Sequence, residues 1–134
     1  MTRKTINPDA LYNSLQYGFS HATTSQGKTE IHCAGQVAWD ENADVVGAGD
    51  LAKQAQQVFK NLTTVLREAG ATPADVVRMR TYVVDLKPQY LESIVDAITE
   101  FYAGAVPAAN TLIGVQSLAL PDLLIEVEVT AVID

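Results

Sequence analysis

The most regular pattern in the chain lies between residues 51 and 69. Leu51, Ala55, Val58, Phe59, Leu62, Leu66 and Ala69 recur at spacings of three and four, which places them on one face of a helix. Asp50 stands where its side chain can cap the first turn, and Gly70 follows as a residue suited to the left-handed position after the last. A second helix is predicted over about 88–102: Pro88 suits a first turn, and Leu91, Ile94, Ile98 and Phe101 form its apolar stripe. Elsewhere the period is that of strands. Residues 15–22 (LQYGFSHA) alternate, with Leu15, Tyr17, Phe19 and His21 on one side. Residues 23–28 (TTSQGK) read as a turn and 29–37 (TEIHCAGQV) as a second strand, which suggests a hairpin. Residues 75–84, 110–118 and 123–133 are the remaining strands, and 1–14 and 40–49 read as an irregular arm and a loop.

The resulting order, β-β-α-β-α-β-β, implies one α/β (α+β) domain spanning 1–134: a mixed sheet with both helices on one face. Several strands, Val76–Val84 most of all, carry apolar residues on both faces. The sheet face without helices is therefore expected to be covered by other copies of the chain.

Composition narrows the function classes. A chain of 134 residues with 48% hydrophobic and 19% charged residues can build a packed core. Its net charge of −7 disfavours nucleic acid and anionic membranes as partners, and there is no Lys/Arg run to offset it. Cys33 is the only cysteine, so no internal disulfide is available. The start MTRKTINPDA has no apolar segment behind its positive charges, and no apolar run approaches a membrane span. The expected compartment is the cytoplasm. Two histidines and one cysteine without close spacing offer no metal set.

Four segments together resemble the reactive intermediate deaminase (Rid, YjgF-like) family: AGQV at 34–37, the first helix ending in EAGA at 68–71, DVVRMRTYVVDL at 75–86, and LPDLLIEVEVTAV at 120–132. The resemblance covers nearly the whole chain. It implies a chorismate-mutase-like fold, a homotrimer with ligand clefts between subunits, and hydrolysis of 2-imino acids or their enamine tautomers to a 2-oxo acid and ammonia, with neither metal nor organic cofactor. It also implies the site. Glu126 corresponds to the cleft glutamate that steers or deprotonates water. Tyr17, Ala34, Gly35, Asn110 and Thr111 fall on ligand-binding positions. In the family an arginine at the start of the fifth strand grips the substrate carboxylate. An ungapped match from Asp85-Leu86 puts Asn110 there, and a one-residue shift puts Ala109 or Thr111 there; none is an arginine.

Each candidate has a second reading from the residues alone. Asn110 can orient a neutral or amide-bearing ligand, or simply cap a strand. Its amide donates to a carboxylate without neutralising it and lacks the guanidinium fork. Glu126 shares a strand face with Glu128, and either can pair with Arg78 or Arg80 instead of serving a ligand. Tyr17 can close over a ligand or sit in the core. Gly35 permits close backbone approach, or a bulge. Cys33 reads as an inert buried thiol, and its neighbour His32 points to the opposite strand face. His21 can border the cleft or be structural. Arg78 and Arg80 share a face with Tyr82 and offer an alternative hold on a carboxylate if that face reaches the cleft. Three functions follow: an imine or enamine deaminase with altered substrate, a non-catalytic small-molecule binder or sensor, and, against the charge, a ribonuclease or translation inhibitor.

Overall fold

The computed structural model describes residues 2–134. The chain runs β1 (Thr2–Ile6), β2 (Ala22–Gln26), β3 (Thr29–His32), α1 (Leu51–Glu68), β4 (Val76–Val84), α2 (Leu91–Tyr102), β5 (Ala109–Val115) and β6 (Ile125–Ile133). Four strands form a mixed sheet in the order β3-β6-β4-β5, in which β4 and β5 are parallel and the other neighbours antiparallel. β1 and β2 form a separate antiparallel pair. A parallel bridge between Ser20 and Ala109 joins this pair to the edge of β5. The fold is α+β, as expected.

α1 forms as its sequence dictates. The Asp50 side chain accepts from the Lys53 amide at 3.1 Å, and Gly70 takes a φ of 81° just past the end. Val58, Leu62 and Leu66 are fully buried. They join Ile94, Ile98 and Phe101 of α2 and Met79, Val83, Val127 and Val129 of the sheet in one core. Each such side chain contributes about 1.5–3 kcal/mol by leaving water. Alternation along β4 and β6 then fixes the other face: Arg78, Arg80, Tyr82, Glu126, Glu128 and Thr130 point away from the helices.

The first third of the chain differs from its sequence pattern. Residues 2–6, expected to be irregular, form a strand; its polar alternation shows no core face, and it is held by its partner β2 and by Arg3. That guanidinium donates to the carbonyls of Val76 and Val106, both at 2.7 Å. The expected strand at 15–22 does not form. A 3-10 turn at Ser14–Tyr17 occupies its first half and is stopped by Gly18 at φ 81°. The alternating Tyr17, Phe19 and His21 instead gather with Tyr12 in edge-on ring contacts. The threonines of the expected turn at 23–28 supply β2, and the expected hairpin is replaced by β1–β2 and β3–β6 pairing. β3 ends at His32 rather than continuing to 37, and α2 is preceded by a 3-10 turn at Pro88–Tyr90.

The open sheet face also differs from expectation. β4 was expected to be apolar on both sides, but a register shift between Val76 and Arg78 absorbs one of its leading valines. Beyond it, the helix-free face presents Arg78, Arg80 and Tyr82.

Candidate functional site

The open face owes its shape to a bulge after β3. His32 is opposite Thr130, and Gln36 bridges Val127, so four residue steps on one side meet three on the other. Cys33 donates to the Val129 carbonyl at 3.0 Å, and Gln36 and Val127 exchange hydrogen bonds at 2.8 and 3.1 Å. The extra residue falls in the Ala34–Gly35 segment, and Gly35 passes over Glu126. A Cβ built on Gly35 would stand 2.8 Å from Glu126 Cδ and 3.0 Å from its Cγ. Gly35 is not among the residues with positive φ. Glycine is required there for room and not for backbone conformation.

Glu126 is half-buried by this contact. Burial is the main cause holding its carboxyl above the usual range, and the neighbouring Glu128 charge adds to it. Glu128 accepts a 2.7 Å hydrogen bond from the Tyr82 hydroxyl, whose own pKa is raised chiefly by that bond. The two carboxylates thus divide: Glu128 has a hydrogen-bonded partner and Glu126 is kept free for exchange of a proton. That is the arrangement a general base needs.

The expected pairing of Arg78 or Arg80 with Glu126 or Glu128 is not formed. Among the described residues the ion pairs are His32–Glu30 and Lys87–Asp85. Arg78 turns toward β5, where its Nη2 donates to Thr111 Oγ1 at 2.8 Å. Arg80 lies between Glu128 and Thr111 in the register. Arg78 and Arg80 line a cavity of about 200 Å³ with Glu128, Val129 and Thr130.

Asn110 faces the other way. Its Cα partner is Met79, a core residue, and its Oδ1 accepts from the buried Thr81 hydroxyl at 3.2 Å. With Tyr17, Phe19, Leu91, Val95, Ile98 and Leu112 it lines a cavity of about 300 Å³ between β5 and α2. The six sequence-derived site residues therefore fall into two groups within one chain. Tyr17 and Asn110 share the α2-side cavity. Gly35 meets Glu126 at the bulge, where Ala34 precedes it in the chain, and Thr111 lies on the same open face as Glu126. Ala109 is on that face too, being the partner of Arg78.

The Arg78–Thr111 and Tyr82–Glu128 bonds have no local signature, since each joins strands distant along the chain. Leu91, which belongs to the apolar stripe, is 39% exposed and lines the α2-side cavity, a fact that only the structure shows. Cys33 is 7% exposed, and burial raises its thiol pKa, which leaves it a poor nucleophile. His21 has its Nε2 2.8 Å from the Tyr12 carbonyl oxygen. Among the described residues no group of three His, Cys, Asp or Glu is placed to hold a metal, and no helix is long and apolar enough to cross a membrane.

Comparison with known proteins agrees with this architecture. Residues 12–133 match the family model described as Endoribonuclease L-PSP. A RutC family protein of Pyrococcus abyssi is 32% identical over 102 residues, covering 75% of this chain and 76% of its own. A 2-iminobutanoate/2-iminopropanoate deaminase of Dermatophagoides farinae is 27% identical over 104 residues, with 78% of each covered. The crystal structure of YyfB from Yersinia pestis, a Rid family protein of unknown function, is 56% identical and superposes with a TM-score of 0.97 over 99% of this chain and 100% of that one. The chain belongs to the Rid (YjgF-like) family.

Proposed function

We propose that this chain is a deaminase of reactive imines or enamines, hydrolysing a 2-imino acid-like metabolite to the 2-oxo acid and ammonia in a cleft between subunits of a homotrimer. The observation that carries the reading is the Glu126 carboxylate, half-buried against Gly35 with its pKa raised. In this reading Glu126 takes a proton from water as the water oxygen bonds to the imine carbon. That proton passes to the nitrogen, giving a carbinolamine, and Glu126 then relays the carbinolamine hydroxyl proton to the nitrogen as the C–N bond breaks, releasing ammonia and the 2-oxo acid. The named activity of the Dermatophagoides farinae relative supports the reaction class. No residue in the scheme requires a metal or organic cofactor.

The sheet register supports the shared cleft. Thr111 and Glu126 are two strands apart and offset by two residues, which separates their Cα atoms by about 12 Å. Glu126 leans toward Gly35 on the side away from β5. In a 2-imino acid the carboxylate is bonded directly to the imine carbon. A ligand held at the start of β5 therefore needs the Glu126 of a second subunit.

The test is decay of 2-iminopropanoate and 2-iminobutanoate, generated in place by an amino-acid oxidase, followed together with ammonia release. Wild type should accelerate decay of an imine, and Glu126→Ala should not, with both proteins eluting as trimers. Equal ammonia release by the variant would refute the role of Glu126. The absence of arginine at 109–111 favours a second reading, a non-catalytic binding or sensing trimer; saturable binding without turnover on any imine would select it. The net charge of −7 speaks against a ribonuclease.

A further inference from the structure

We infer that Arg78, assisted by Arg80, is the carboxylate anchor of this protein, binding a small monocarboxylate on the open sheet face above the start of β5. The Cα of Arg78 is in register with Ala109, and its guanidinium reaches along the strand to Thr111 Oγ1 at 2.8 Å. That hydrogen bond fixes the guanidinium over the 109–111 segment, whose own side chains (Ala109, Asn110, Thr111) supply no cation. A guanidinium has five N–H donors, and Thr111 takes one. Neither Arg78 nor Arg80 forms an ion pair among the described residues. Both line the same cavity of about 200 Å³, together with Glu128, Val129 and Thr130.

Charge selects the ligand. The cavity sets Arg78 and Arg80 against one carboxylate, that of Glu128. Two guanidiniums and the one lining carboxylate leave a single positive charge, which a monoanion balances and a dianionic phosphate exceeds. The planar fork of Arg78 suits a carboxylate in the same way. This deepens the deaminase reading, because a 2-imino acid carries one carboxylate; it rests on that reading for the ligand's identity but not for binding.

The experiment is calorimetric titration with 2-oxobutanoate, its uncharged methyl ester and inorganic phosphate, on wild type, Arg78→Gln, Arg78→Lys and Arg80→Gln, with melting temperatures measured alongside. 2-Oxobutanoate should bind wild type at least about tenfold more tightly than either the ester or phosphate, and more weakly as salt is raised. Arg78→Gln should lose roughly ten- to a hundredfold in affinity, as expected for hydrogen bonds to a charged group. Arg78→Lys should retain part, and Arg80→Gln should lose less than Arg78→Gln. Unchanged 2-oxobutanoate binding in folded Arg78→Gln overturns the assignment. So does tighter binding of phosphate. If Arg78→Gln does not fold, wild-type affinity in Arg78→Lys overturns it equally, because the fork geometry is then irrelevant. Arginine-dependent binding with no imine turnover leaves this assignment standing and removes the deaminase reading alone.

Discussion

Gly35 lies so close over Glu126 that no side chain fits between them: a Cβ would be 2.8 Å from the carboxyl carbon. The obstacle is the end of a flexible side chain, which can swing aside, and not a rigid backbone. Gly35→Ala should therefore displace the Glu126 carboxylate with little loss of stability. The substitution also reduces the freedom of the unfolded chain, and Gly35 is not among the positive-φ residues. Imine turnover is expected to fall at least about tenfold while stability changes by under about 1 kcal/mol. Steady-state kinetics and thermal melts on the same preparation measure both. A variant as active as wild type would separate Gly35 from the catalytic geometry.

The raised pKa of Glu126 fixes the sign of a pH effect. The folded state holds that proton more tightly than the unfolded chain, whose carboxyl titrates near the ordinary 4.5. The group's contribution to stability is fully present below that value and is lost as pH rises through the raised folded one. Glu126→Gln keeps the shape and removes the titration. Its melting temperature should match or exceed wild type at neutral pH, and that advantage should shrink on acidification toward about pH 4. Turnover by wild type should fall as Glu126 becomes protonated, at a pH above the ordinary carboxylate range. Glu128→Gln removes the second cause of the shift and should move that limb to lower pH.

Asn110 is expected to act on stability before it acts on ligand. It accepts the hydroxyl of Thr81, which is 0% exposed. Asn110→Ala should cost about 1–3 kcal/mol by leaving a buried donor without its partner, read from denaturant midpoints. Asn110→Arg should gain no imino-acid turnover, because position 110 opens on the α2-side cavity and not on the face of Glu126. Strong activity in that variant would show that the cavity beside Tyr17 is the reaction site.

Gln54 joins three segments from within the core. It is 0% exposed, donates to the carbonyls of Gly47 and Asp122 at 3.2 and 2.9 Å, and accepts from the Leu124 amide at 2.9 Å. Gln54→Leu would leave these groups unpaired and should destabilise the fold by about 3 kcal/mol, since each unsatisfied buried group costs about 1–3 kcal/mol. The start of β6 should loosen first, visible as faster hydrogen exchange at Leu124.

The sequence by itself determined both helices, the three C-terminal strands and the family. The stripe from Leu51 to Leu66 and the alternation from Ile125 to Val129 are local patterns, set by chain geometry before any distant contact forms. The strand face of Glu126 was legible for the same reason, and its candidacy came from the family resemblance. Tertiary structure alone decided the rest. Thr2–Ile6 is a strand because Ala22–Gln26 pairs with it, and Tyr17 stands on a 3-10 turn because Gly18 adopts a left-handed conformation. A one-residue step along β5 sends Asn110 to the helices and Thr111 to the open face. No local signal fixes that parity: it comes from hydrogen bonding to β4, which also carries Arg78 across to Thr111.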